Sequence, residues 1–394
     1  MSEARVGALL GAATLVAAPL SYWASRSSSL WVKGGAAVAV WSSYIGAFAI
    51  SPPLPVATPS TLMMSCFGFI PPLKWTELIF FRQERLKRDY EAEEVEKMNK
   101  APMWRDFLRF VGDFAWFAFP LCKVRKPEDE EINCLGIGKR LPSMQNTVLY
   151  ALECLVCLVT KTVLNVVVFS KMWDLAHTEG LTAPFQGKQR LLFWFTASIV
   201  VGMAHLDLQN FVVLLVTGGR YKVLPFNRYP FLSVSLRELW GTRYNHLISS
   251  LLKECVYFPA KNRGFSSGQS GFLAFFASGV LHAWVAHITF RKGRVQALAF
   301  FCASGLLVGL ETWVYKKRHW LLKLPAVVRA SVTFFLFWVS YQLYGTLFMD
   351  SMPTFLEAGR SALPDASTQS FVYDAAKPLA ALVGVHTLQQ NPKA

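Results

Sequence analysis

Charge is scarce in this chain. Asp, Glu, Lys and Arg make up 16% of its 394 residues against 53% hydrophobic ones, and the mean hydropathy is +0.32. Such a composition excludes an ordinary soluble domain and leaves a polytopic membrane protein as the reading. The seven cysteines are odd in number and several fall inside apolar runs, so no disulfide framework is implied. Cys154 and Cys157 have the spacing of a redox or metal pair. They lie in a run of Leu and Val with no second pair and no His at ligand spacing, and are read as packed or lipid-facing thiols. No metal site is expected, and no internal repeat, lipidation signal or retrieval signal is visible.

The net charge is +15, but no nucleic-acid motif accompanies it. The basic residues sit between long apolar runs, where they suit anionic membrane lipids or an anionic substrate such as acyl-CoA, not nucleic acid. The apolar runs fall at about 6–24, 30–50, 55–73, 147–169, 191–216, 271–290, 295–315 and 326–348. The expected fold class is therefore all-α: an integral membrane protein of about eight (8–9) transmembrane helices with amphipathic interfacial helices, forming a single domain over 1–349 and a tail over 350–394. The first run, Val6 to Trp23, is read as a retained span and not a cleaved signal.

Several local expectations follow. Residues 51–55 should form a tight turn between spans two and three, and Pro71-Pro72 should end the third. Residues 82–100 read as one solvated cytosolic helix with opposite charges four apart: Glu84 with Arg88, Glu93 with Lys97, Glu96 with Lys100. The aromatic run from Trp104 to Leu121, with Phe107, Phe110, Phe114 and Phe117 at helical spacing, reads as an amphipathic helix on the membrane surface. Lysine and arginine concentrate in 74–146, 217–270 and 316–325, which places those segments in the cytosol. Arg291-Lys292-Gly293-Arg294 falls on the opposite side and breaks the bias.

Residues 231–287 carry the chemistry. Ser235-Leu236-Arg237-Glu238-Leu239-Trp240-Gly241-Thr242-Arg243-Tyr244-Asn245 is too charged to cross a bilayer and unusually aromatic. It reads as a helical interfacial segment with Trp240 and Tyr244 at headgroup depth. Gly271 then opens an apolar run in which His282 is the first ionisable side chain, at a helical rise of about 1.5 Å per residue roughly 17 Å in. An intramembrane histidine is a functional candidate, and a neutral imidazole in apolar surroundings is suited to general base catalysis. Ser278-Gly279, one turn earlier, makes room beside it for a helix or a substrate chain. Asn245 offers an amide to position a hydroxyl or donate to an oxyanion. Arg237, Arg243 and Lys253 stand where phosphates would arrive.

The pair S-L-R-E-L-W-G-T-R-Y-N and S-G-V-L-H, with Val256-Tyr257-Phe258-Pro259 between them, resembles the signature of the wax synthase branch of the membrane-bound O-acyltransferases. That resemblance covers about 55 residues. It implies His282 and Asn245 as catalytic residues; the residues around them, Trp240, Arg237, Arg243, Tyr244 and Ser278, are read from their own chemistry as substrate-binding. It also implies no bound cofactor, a long-chain acyl-CoA co-substrate, a hydrophobic alcohol acceptor and residence in the endoplasmic reticulum membrane. Two positions depart from the pattern: Tyr244 stands where Trp is common, and Ala283 follows His282 where Glu is common, which leaves the histidine without an identified orienting partner. The acceptor stays open between fatty alcohol, sterol, terpenoid alcohol and diacylglycerol. A transporter relaying protons or ions through His205, Asp207 and His282 is the reading from a different class, and a catalytically silent lipid-binding scaffold is a third. His287 is expected to snorkel, and Glu311 to be paired or at the headgroups.

Overall fold

The computed structural model describes residues 2–89, 92–115, 121–123, 147–177, 186–201, 211–213, 215–216, 221–223, 227 and 230–361. In chain order the helices are α1 (Ser2–Arg26), α2 (Leu30–Ala49), α3 (Pro59–Phe80), α4 (Arg82–Asp89), α5 (Ala92–Asn99), α6 (Met103–Ala115), α7 (Thr147–His177), α8 (Gln186–Val201), α9 (His246–Leu252), α10 (Phe258–Asn262), α11 (Ser267–Phe290), α12 (Arg294–Lys317), α13 (Ala326–Met349) and α14 (Met352–Ser361). The described residues are helical with one departure from an all-α chain: β1 (Leu121–Lys123) and β2 (Tyr221–Val223) pair antiparallel, Cys122 opposite Lys222. Among the described residues four helices, Ser2–Arg26, Cys154–His177, Ser267–Phe290 and Arg294–Lys317, are long and apolar enough to cross a membrane. The described chain packs as two compact units, Met1–Ala118 with Leu247–Leu310, and Phe119–His246 with Glu311–Ala394.

The first unit is built on α1, α2 and α3, with α11 against α3. Leu10, Ala17, Tyr44, Trp75, Leu78 and Phe110 belong to one buried core. Polar groups hold α11 to this bundle from within, as membrane helices require. The Trp284 indole donates to the Ser65 carbonyl at 2.9 Å, and the Ser65 and Thr289 hydroxyls meet at 3.2 Å. The Ala57 N–H, in the turn before α3, donates to the Thr289 carbonyl at 2.7 Å.

Three sequence expectations are revised in this unit. Pro71-Pro72 does not end the third helix, since α3 continues to Phe80. An interior proline costs about 3 kcal/mol, and burial of Trp75, Leu78 and Ile79 beyond the prolines outweighs it. Residues 82–89 and 92–99 are helical, but the start of this stretch is not solvated: Arg82 is buried, bonded to Asp106 at 3.0 Å and Asp113 at 3.2 Å, while Arg85 reaches Glu77 at 3.0 Å. The Glu96–Lys100 pair forms at 2.6 Å, whereas Arg88 reaches Glu254 at 2.6 Å and Glu84 accepts from Asn262 at 3.0 Å. Helix α6 packs its phenylalanine side inward, leaving Trp104 and Leu108 exposed. Phe110 and Phe114 are buried against Trp75, whose ring stacks on Phe114 with centroids 3.7 Å apart, and its acidic residues take the arginines of α4.

In the second unit α7 packs on α8 and α14, and α8 on α13. Cys154 and Cys157 are both buried along α7. His205, Asp207, Phe117, Cys134 and the apolar patch at 378–385 lie outside the described residues.

Candidate active site

His282 lies two turns from the C-terminal end of α11, in the first unit. This helix starts on a capping box: Ser266 Oγ accepts the Gln269 N–H while the Gln269 side chain accepts the Ser266 N–H. It ends at Arg291, whose left-handed φ of 57° and neighbouring Gly293 (φ 79°) make the turn into α12. The Arg-Lys-Gly-Arg run that breaks the charge bias is thus the short connection between two apolar helices.

The imidazole has a fixed orientation. A carbonyl oxygen can only accept, so the 2.7 Å contact between His282 Nδ1 and the Ser278 carbonyl is an Nδ1–H donor bond. Nε2 is then the ring nitrogen with a lone pair. The Ser278 hydroxyl is further off, 3.5 Å from Nδ1. The Phe301 ring of α12 covers the imidazole with centroids 4.1 Å apart. The missing carboxylate at position 283 therefore leaves no orienting vacancy, because the backbone carbonyl of Ser278 fills that role.

Room beside the histidine belongs to a helix. A Cβ on Gly279 would stand 2.9 Å from Leu298 Cδ1 and 3.3 Å from the Leu298 backbone, and one on Gly305 would stand 2.9 Å from the Phe275 Cβ. Both glycines serve the close crossing of α11 and α12, which brings Phe301 onto His282. Ser278 is buried at this crossing. His287 has a buried Nδ1 with no hydrogen-bond partner among the described residues, so it does not simply snorkel.

Asn245 belongs to the second unit. The segment before it is not the continuous interfacial helix expected. Leu236–Glu238 is one α-helical turn, Leu239–Arg243 is a π-helical turn closed by the Tyr244 N–H on the Leu239 carbonyl at 2.8 Å, and Asn245 follows in the left-handed region at φ 49°. Asparagine is one of the few residues that tolerate that region, and π turns concentrate at functional sites. The Asn245 N–H donates to Asn227 Oδ1 at 2.7 Å. Trp240 is not a bare headgroup anchor: its ring meets Tyr244 edge-on at 5.4 Å and Phe337 at 5.8 Å. Burial pushes the Tyr244 phenol up to about 12. Arg243 Nε is bonded to Glu238 at 2.7 Å, while Arg237 is exposed.

Sequence reasoning missed two groups here. Asn227 sits 18 residues before Asn245 with no local pattern to flag it. Glu311 is expected to be paired or at the headgroups, but its actual partners, the backbone N–H groups of Leu236 and Arg237 at 2.9 and 3.1 Å, are invisible in a sequence.

Val256-Tyr257-Phe258-Pro259 also takes a defined form. Lys253–Tyr257 is a second π turn, running into α10 with Pro259 in its first turn, where a missing N–H costs nothing. The Arg88–Glu254 pair and the Cys255 thiol, which donates to the Leu73 carbonyl at 3.6 Å, bind it to α3 and α4. Burial pulls the Lys253 ammonium below its ordinary value against the raising effect of Glu254. A separate groove of about 600 Å³ lined by Tyr22, Trp23, Arg26, Met103, Trp104 and Phe107 contains none of the predicted site residues.

Comparison with known proteins bears on the same stretch. Residues 224–303 match the sequence model of the membrane bound O-acyl transferase family. Similar Arabidopsis thaliana proteins include those called probable long-chain-alcohol O-fatty-acyltransferase 9, 34% identical over 116 residues, and probable long-chain-alcohol O-fatty-acyltransferase 3, 31% identical over 116 residues. A third, called acyl-CoA–sterol O-acyltransferase 1, is 26% identical over 118 residues. Each match takes in 27% of this chain, and the chain spans about a third of each relative's length (33%, 34% and 33%). The stretch that holds both Asn245 and His282 is thus similar to the membrane bound O-acyl transferase family and to proteins called long-chain-alcohol O-fatty-acyltransferases.

Proposed function

We propose that the protein is an acyl-CoA-dependent O-acyltransferase that esterifies a long-chain fatty alcohol to a wax ester, with His282 as general base. The observation that carries this reading is the bond from His282 Nδ1–H to the Ser278 carbonyl, which leaves Nε2 as the proton acceptor on an apolar helix. The alcohol O–H donates to Nε2. As the alcohol oxygen attacks the thioester carbonyl carbon, its proton passes to the imidazole, the carbon–sulfur bond breaks, and the imidazolium returns the proton to the departing CoA thiolate. The Ser278 carbonyl stabilises the imidazolium through the same bond that fixes the tautomer. The apolar surroundings exclude water that would hydrolyse the thioester.

Asn245 is the second residue of the proposal, supplying its amide to the hydroxyl or to the developing oxyanion. Exposed Arg237 supplies a guanidinium for the CoA phosphates, while Arg243 is engaged by Glu238. Trp240, Tyr244 and Ser278 complete the proposed set, Ser278 through its carbonyl. The protein is proposed to use no bound cofactor and to span the endoplasmic reticulum membrane about eight times. A sterol acceptor is the second reading, favoured by the similarity to the protein called acyl-CoA–sterol O-acyltransferase 1.

The test is CoA release from palmitoyl-CoA by membranes containing the protein, with hexadecanol, cholesterol or diacylglycerol, alongside His282→Ala. Acceptor-dependent release lost in the variant supports the reading and identifies the acceptor. Release that ignores both acceptor and mutation, in well-expressed protein, overturns it.

A further inference from the structure

We propose that Glu311 is a positioning residue: with Asn227 it clamps residues 235–245 at both ends, in a conformation the segment would not hold by itself. The inference rests on the reading above only insofar as Asn245 takes part in the reaction; the clamp itself is a matter of geometry.

At the entry to the segment, a helical turn starting at Leu236 leaves its first N–H groups without intrahelical acceptors. Ser235 Oγ takes the Glu238 N–H at 3.0 Å. The other two go to the Glu311 carboxylate, Leu236 N–H to Oε1 at 2.9 Å and Arg237 N–H to Oε2 at 3.1 Å. Both oxygens of one carboxylate are thus spent on consecutive backbone donors, and bonds to a charged acceptor are the strong class. Glu238 closes the same turn from within, accepting the Val234 N–H at 2.9 Å and Arg243 Nε at 2.7 Å.

The exit is held just as specifically. Asn245 lies at φ 49° directly after a π turn, and its N–H is taken by Asn227 Oδ1 at 2.7 Å. Asparagine tolerates the left-handed region, but holding it there directly after a wide turn takes a fixed partner for its backbone. The two clamps supply that constraint.

Glu311 has no other obvious reason to be where it is. It is the one acidic residue of Arg294–Lys317, a helix apolar enough to cross a membrane. A carboxylate there is costly unless bonded. The two amides of the motif segment provide the bonding, and the carboxylate in return fixes the segment's first turn.

The experiment uses the full chain in membranes with four variants. Glu311→Gln keeps one carbonyl acceptor, Glu311→Ala removes both, Asn227→Asp keeps an acceptor for the Asn245 N–H, and Asn227→Ala removes it. The first readout is trypsin cleavage of native protein after Arg237 and Arg243, followed by mass spectrometry and compared with cleavage after Arg85 and Arg88. Losing hydrogen bonds to a charged group corresponds to about tenfold, so cleavage after Arg237 and Arg243 should rise about tenfold in Glu311→Ala and less in Glu311→Gln, with Arg85 and Arg88 unchanged. The second readout is acyl transfer: kcat should fall about tenfold or more in both alanine variants while KM for acyl-CoA moves little, with Glu311→Gln and Asn227→Asp partly restored.

Unchanged cleavage and kcat in Glu311→Ala would overturn the clamp. So would cleavage rising equally at all four arginines, which marks general unfolding. Localised cleavage in a protein whose wild type transfers no acyl group supports the clamp and overturns the proposed function, so the two fail separately.

Discussion

His282 donates its Nδ1 proton to the carbonyl of Ser278, one turn back on the same helix, at 2.7 Å. The bond is to backbone, so the serine side chain is dispensable for it. Ser278→Ala should retain kcat within about threefold of wild type, whereas His282→Ala should lose at least about a hundredfold, the range over which a general base contributes. Steady-state CoA release with saturating alcohol checks both. A serine variant as damaged as the histidine variant would assign the hydroxyl, at 3.5 Å, the orienting role instead.

Asn245 combines a left-handed backbone with a side-chain amide, and substitution separates the two. Glycine accepts φ 49° freely, while alanine pays about 1–2 kcal/mol for it. If the amide acts in the reaction, Asn245→Gly and Asn245→Ala should both lose activity by more than about tenfold. An active glycine variant beside an inactive alanine variant would reduce the residue to a backbone requirement.

Gly279 has no space for a side chain where α11 crosses α12. Gly279→Val should force Leu298 away and lower stability by about 1–3 kcal/mol, the usual cost of overpacking, with Gly279→Ala milder. Thermal denaturation followed by fluorescence-detected size exclusion in detergent checks this. Because Phe301 rides on the same crossing over His282, acyl transfer should fall alongside stability.

Asp106 ties α1, α4 and α6 through Arg26, Arg82 and Tyr22. Burial on its own would raise its carboxyl, but the Arg82 guanidinium, with Tyr22 and Arg26, brings it below the ordinary value. A depressed folded value means that this contribution is fully present above the unfolded aspartate range, about 3.9. It is lost as pH falls through the lower folded value. Asp106→Asn should therefore lower the melting temperature at pH 7 and flatten its acid limb. Parallel wild-type and variant curves from neutral to acid pH would remove Asp106 from the linkage.

The helical, membrane character of the chain was legible because burying backbone in lipid demands long apolar runs, and such runs survive as plain composition. The two candidate residues were legible for a related reason. A lone histidine in an apolar stretch, and a charged aromatic segment ending in asparagine, are local features that need no partner to be noticed. Expectations failed where a pattern had to be interpreted without its neighbours. The aromatic face of Met103–Ala115 has the periodicity of a surface helix, yet Trp75 covers it. Pro71-Pro72 carries the mark of a helix end, yet packing beyond it carries the helix on.

By itself, then, the sequence determined that this is an apolar helical protein, and it put forward residues 231–287, with a histidine and an asparagine, as the candidate site. Only the tertiary structure decided which imidazole nitrogen is free, that Gly279 yields to a helix and not a substrate, and that Glu311 and Asn227 hold the motif segment. The physical reason is common to all three. Each depends on a hydrogen bond or contact in which backbone or a residue distant in sequence is one partner, and side-chain identity read along the chain does not encode that meeting.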